Sequence, residues 1–161
     1  MRIGRRGLLD HLRLLGPLFA LIGAVWALRM ILSAAGATGW LLGIVSMTTA
    51  GAVSVLLAAF LIHIRRFGSY ASVVAASLLL SAWGQLLIIV SIVFSVLTGQ
   101  ENIYTAAEFS IPGDDPLHLR HIVGHLIVSV PIGTLVGALE GCVVFWLLRI
   151  VMPPRLRLKR E

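Results

Sequence analysis

Residues 113–152 read GDDPLHLRHIVGHLIVSVPIGTLVGALEGCVVFWLLRIVM. From residue 119 onward the stretch stays apolar for longer than a bilayer crossing requires, which is roughly 20 helical residues. Gly133, Gly137 and Gly141 recur at intervals of four, and Ser129 continues the spacing upstream. On a helix such a stripe of small residues lets another backbone approach closely, the packing habit of helices in lipid. The stretch therefore predicts a membrane helix, and it implies that the rest of the chain is apolar helix to pack against it.

Composition points the same way. Of 161 residues, 58% are apolar and 12% charged, with a mean hydropathy of +0.98. Soluble domains carry about 25% charged residues, so this chain has too few to cover a water-facing surface. Further apolar segments at about 14–35, 40–64 and 70–98 join the one at 119–151. The expected fold is an all-α integral membrane protein, a single domain over 1–161 with four transmembrane helices in an antiparallel bundle. Two short links and one outer loop, 99–116, connect them. Residues 1–15 carry four arginines and leucines at helical spacing, predicting a short interfacial helix before the first span. Small residues from Ser33 onward make a cleaved secretory signal the competing reading; the length of the run and Arg29 inside it favour an uncleaved span.

Charge sets the orientation. Eleven of the thirteen Lys and Arg residues lie in the N-terminal flank, at Arg65 and Arg66, or from Arg149 to the end. Glu101, Glu108, Asp114 and Asp115 share the 99–116 loop. The positive-inside rule then places both termini in the cytoplasm and the acidic loop outside, as in a prokaryotic inner membrane. The same placement argues against nucleic acid as a partner, because the basic residues mark membrane boundaries instead of forming one solvated face. Cys142 is the only cysteine, so there is no intrachain disulfide and no CxxC site.

Asp115 and Pro116 have the character of a helix start. A helix over 116–152 would be about 55 Å long against an apolar core of roughly 30 Å, and Pro131 is the expected site of a kink. Glu140 shares the glycine face, so it is expected to point into protein, with Arg29 or Gln85 as its partner; an ionisable group inside a membrane marks function by default. Arg29 by itself reads as a residue snorkelling to the outer boundary.

His118, His121 and His125 fall within about 60° of one helix face. With Asp114 and Asp115 they form a ligand set suited to a divalent transition metal. Haem is the other cofactor considered: His11 and His63 could meet at the inner end, whereas no opposing histidine exists for His125. Three functions follow. The first is an accessory or structural subunit packing through Ser129, Gly133, Gly137 and Gly141 in a homo-oligomer or larger complex. The second is a small proton- or ion-coupled transporter using Glu140. The third is an outer-face metal- or haem-binding protein. No nucleophile and base stand together in the sequence, so an enzyme is the least supported class.

Overall fold

The structure is a computed structural model describing residues 2–3, 6–37, 40–106, 115 and 117–152. A two-residue hairpin, β1 (Arg2–Ile3) and β2 (Arg6–Gly7), opens the chain. α1 (Leu8–Ala34) follows at once. Asp10 starts it by accepting the Gly7 amide at 2.9 Å, satisfying one of the donors every helix start leaves free. The separate interfacial helix expected before the first span does not form: α1 runs unbroken from Leu8, with Leu8, Leu9 and Leu12 exposed and the buried face beginning at His11. That face runs through His11, Leu14, Leu15, Leu18, Ile22 and Arg29.

The second apolar segment is broken. A short helix α2 (Trp40–Ile44) ends at Val45, and α3 (Met47–Ile64) restarts with Ser46 as its cap, Ser46 Oγ accepting the Thr48 amide at 3.2 Å. α4 (Tyr70–Thr98) is unbroken and ends on Gly99, whose φ of +67° closes the helix in the left-handed region that favours glycine. The last segment consists of α5 (Leu119–Gly124), one π-helical turn (His125–Ser129) and α6 (Val130–Val151). Helix starts at Leu119, later than the Asp115–Pro116 pair suggests. Asp115 still caps it, its two carboxylate oxygens accepting the Leu119 and Arg120 amides at 3.0 and 2.9 Å. The irregularity in this segment lies just before Pro131: Val130 donates back five residues to the His125 carbonyl, and the imide nitrogen that follows has no hydrogen to give.

α3 and α4 pack on each other, and α1 and α6 each pack on both. The joint between α6 and the central pair is made of small residues. A Cβ on Gly133 would lie 2.8 Å from Ser81 Oγ; on Gly137, 2.5 Å from Ser77 Oγ; on Gly141, 2.8 Å from Val73 Cγ1 and 3.0 Å from Val55 Cγ1. Steps of four on α6 thus meet steps of four on α4, and Ser77 donates across the joint to the Thr134 carbonyl at 3.0 Å. This seam runs into a core of Leu14, Leu15, Leu18, Ile22, Val55, Ala58, Ala59, Ile62, Val73, Ala76, Leu80 and Phe145. A second, smaller core of Ile88, Ile92, Ile103 and Tyr104 fills the opposite end. These are called here the basic end, where Arg65, Arg66 and Arg149 lie, and the loop end.

Outside the cores the helices present leucine, isoleucine, valine and phenylalanine outward, with Leu97, Leu135 and Leu139 among the most exposed. Four segments, Leu8–Ala34, Leu42–Ile64, Tyr70–Thr98 and Leu119–Val151, are each long and apolar enough to cross a membrane. So wide an apolar exterior would be a severe liability in water and is ordinary in lipid, so the fold suggests a multi-pass membrane protein.

Candidate functional site

The break in the second segment and the loop after α4 build the site together. Asn102 folds the loop back onto α4: its Nδ2 donates to the Ser91 carbonyl at 2.8 Å, and its Oδ1 accepts the Tyr104 amide at 2.9 Å. This drives Ile103, Tyr104 and Thr105 into the bundle, where all three are buried. Tyr104 is therefore an internal residue.

Arg29 comes to meet it. The side chain is 8% exposed, and its Nη1 donates to the Leu42 and Val45 carbonyls at 2.9 and 2.6 Å. Those carbonyls lie where α2 ends, so a cation stands at the negative end of a helix, where the dipole favours it. The guanidinium also lies 5.7 Å from the centre of the Tyr104 ring. Burial pushes the Tyr104 phenol above its ordinary range, and the Arg29 charge and a loose hydrogen bond from Arg29 offset part of that rise. The expected snorkelling residue is instead the clamp that holds a broken helix.

Around these residues is a cavity of about 840 Å³, lined by Arg29, Ser46, Thr48, Glu101, Tyr104, His121 and His125 among others. His121 and His125 stack, their ring centres 4.8 Å apart and their planes 26° from parallel, and His118 lies 6.3 Å from His121. His125 Nδ1 donates to Gln85 Oε1 at 2.6 Å, leaving Nε2 as the acceptor. The π-helical turn is what makes this contact. An uninterrupted α-helix would set His125 about 80° away from Gly133, at 100° per residue. A turn carrying an extra residue under-winds the chain and removes most of that offset, bringing His125 round to α4.

Four buried polar atoms on the cavity-lining residues make no hydrogen bond of good geometry: Arg29 Nε, Tyr104 Oη, His121 Nδ1 and His125 Nε2. Each such atom costs about 1–3 kcal/mol when left unsatisfied. Native folds keep such groups rarely, and four of the six among the described residues gather here, the others being His11 Nε2 and Ser54 Oγ, so this cavity is the candidate site.

A second cavity of about 260 Å³ lies between α3, α4 and α6, lined by Ser81, Gln85, Gly133, Gly137 and Glu140. Met47, Thr48 and Ile88 line both cavities. Glu140 borders the second cavity but is exposed to the surroundings of the bundle, not enclosed as its place near the glycines suggests. Its two expected partners are engaged elsewhere, Gln85 with His125 and Arg29 with the α2 carbonyls.

The remaining candidates divide clearly. The glycine stripe is occupied from within the chain, and Ser129 lies in the π-helical turn. Among the described residues no three of His, Cys, Asp and Glu come together closely enough to hold a metal ion. Asp115 spends its carboxylate on the helix start, and Asp114 lies outside the described residues. At the basic end His11 donates to the Gly7 carbonyl and meets Phe67 edge-on, whereas His63 donates to the Met152 carbonyl, so each has its own partners. Tyr104, Asn102, Thr48 and the break at Val45–Ser46 are the features that the sequence reading missed. Ser46 ahead of Met47-Thr48-Thr49 has the form of a helix cap, and Asn102 two residues before Tyr104 has that of a side-chain-closed turn; both signals were there to be found. Compared with protein families, with curated proteins and with solved structures, the chain matches none.

Proposed function

We propose that this chain is an integral membrane protein with both termini and the basic end in the cytoplasm, acting as a small proton- or ion-coupled transporter. The observation that carries this reading is the pair of neighbouring cavities that share Met47, Thr48 and Ile88 as lining residues. The His125–Gln85 hydrogen bond reaches from a residue of the first to a residue of the second, and Glu140 borders the second. A polar solute would enter at the loop end. Beyond it lie Thr48, Ser81 and Gln85 along the second cavity and Glu140 at its outer border, groups of the kinds a proton relay in a membrane uses. Supporting the orientation is the segregation of charge, since Arg65, Arg66 and Arg149 share one end and Glu101 and Asp115 the other.

The test is proton movement into liposomes holding the purified protein and a trapped pH-sensitive dye, under an imposed membrane potential. Small carboxylates, amines and polyols are supplied in turn. One class should drive proton uptake above protein-free liposomes, and Glu140→Gln should cut that uptake by about tenfold or more. Uptake equal in Glu140→Gln and wild type, or none with any class in folded, inserted protein, sinks the reading.

The exposure of Glu140 also favours association in the membrane. A carboxylate facing lipid is costly, and a neighbouring copy's helix would shield it. Native mass spectrometry from detergent should then show an oligomer; a monomer at all protein concentrations would dispose of this second reading.

A further inference from the structure

We propose that the loop-end cavity binds a small organic carboxylate with an apolar tail, held by Arg29, Tyr104 and the N-terminal end of α3. The assignment rests on reading this cavity as the solute mouth, and it names the class of solute.

Three independent features favour an anion. Arg29 is a cation more than nine-tenths buried, with Nε–H in no hydrogen bond of good geometry. Tyr104 brings a hydroxyl to the same wall, likewise buried, whose oxygen makes no hydrogen bond of good geometry. The 18-residue helix α3 begins at Met47, and Ser46, Met47 and Thr48 all line the cavity, so the positive end of that helix dipole opens onto it. A helix interrupted at mid-chain, with its restarted N-terminus turned toward the solute's carboxylate, is a recurring way to recognise anions inside a membrane. Arg29 meanwhile neutralises the carbonyls at the end of α2, which would otherwise repel the same ligand.

The nearby acids do not cancel this. Glu101 lines the cavity but is exposed, and Asp115 commits both oxygens to backbone amides. On the other side, Leu42, Met47, Ile88 and Ile103 offer an apolar wall, which calls for a tail. His125 Nε2 is left as an acceptor, so a hydroxyl or amine on that tail has a partner as well.

Isothermal titration of the protein in lipid nanodiscs with three probes of equal size, benzoate, benzamide and benzylamine, decides the matter. Benzoate should bind at least about tenfold more tightly than benzamide, and benzylamine more weakly than either. Arg29→Lys should weaken benzoate about tenfold or more, since lysine loses the planar fork. Because Arg29 also holds α2, Tyr104→Phe is the companion variant; it removes one oxygen and should weaken benzoate several-fold with an unchanged melting temperature. Glu140→Gln should bind benzoate as wild type does, so a failed transport assay with intact binding would overturn the transporter reading and leave this one standing. Equal binding of benzamide, preference for benzylamine, no binding of any probe by folded wild type, or benzoate affinity unmoved in folded Arg29→Lys and Tyr104→Phe would each overturn it.

Discussion

The two ends of this bundle use the same four segments in opposite ways. At the basic end small residues on α4 and α6 meet in steps of four beside the larger hydrophobic core, and His11 Nε2 is a buried atom there without a partner. At the loop end one helix is broken, another carries a π-helical turn, a loop is folded inward, and four buried polar atoms make no hydrogen bond of good geometry. The cavity beside the seam is about 260 Å³ against about 840 Å³ at the loop end, and the larger void contributes less to cohesion. The basic half thus supplies more of the packing, and the loop half holds more of the unsatisfied groups.

The largest effect should come from filling the seam. Gly137→Leu forces a side chain into Ser77 and Val55 and should destabilise by about 3 kcal/mol or more, read as loss of the folded fraction in a denaturing-detergent titration. Gly23 has open space around it, and Gly23→Ala should stay within about 1 kcal/mol of wild type or gain slightly. Similar losses for both would erase the distinction between a packed seam and a free helix face.

Next in size is the clamp. Arg29→Met strips two hydrogen bonds from the Leu42 and Val45 carbonyls and should cost about 2–4 kcal/mol. Amide hydrogen exchange should rise at 40–48 and stay level along α4. Unchanged exchange at 40–48 would show that α2 holds itself.

Breaking the link between the cavities should do less. Gln85→Leu leaves His125 Nδ1 without its acceptor and should cost about 1–2 kcal/mol, with the His125 ring resonances shifting and those of His11 unmoved. Static His125 resonances would mean that the contact is incidental.

How much of this was legible in the sequence follows the same division. Segment lengths, the glycine stripe and the charge asymmetry are local properties of the chain, and they anticipated four helices with ends close to those found at 64, 70, 98 and 119. The loop end depends on partners far away in sequence. Whether Val45–Ser46 is a break depends on a guanidinium 16 residues earlier that satisfies the freed carbonyl. Whether Tyr104 lies in or out depends on Asn102 reaching Ser91. Hydropathy averages blur both, since a break in an apolar run scores like the run itself.

The smallest predicted effect sharpens the contrast through pH. The Tyr104 phenol titrates above its ordinary value of 10.0 because burial disfavours the phenolate, so folding favours the protonated ring. Its contribution is fully present below pH 10 and is lost as pH rises through the higher folded value. Melting temperatures of wild type should therefore fall more steeply than those of Tyr104→Phe above about pH 10. Parallel curves would remove Tyr104 from the buried set.

The Arg29 clamp also bears on how the chain is made. In the membrane reading proposed above, a buried arginine such as Arg29 in α1 would raise the cost of leaving the translocation machinery, by up to about 3 kcal/mol. Its carbonyl partners are supplied 13 and 16 residues later, across the turn. The first two segments would therefore partition as one hairpin, with Arg29 waiting for Val45 before either enters lipid. A ribosome paused before residue 45 emerges would hold a first segment that inserts poorly, and one paused later would hold a pair that inserts well.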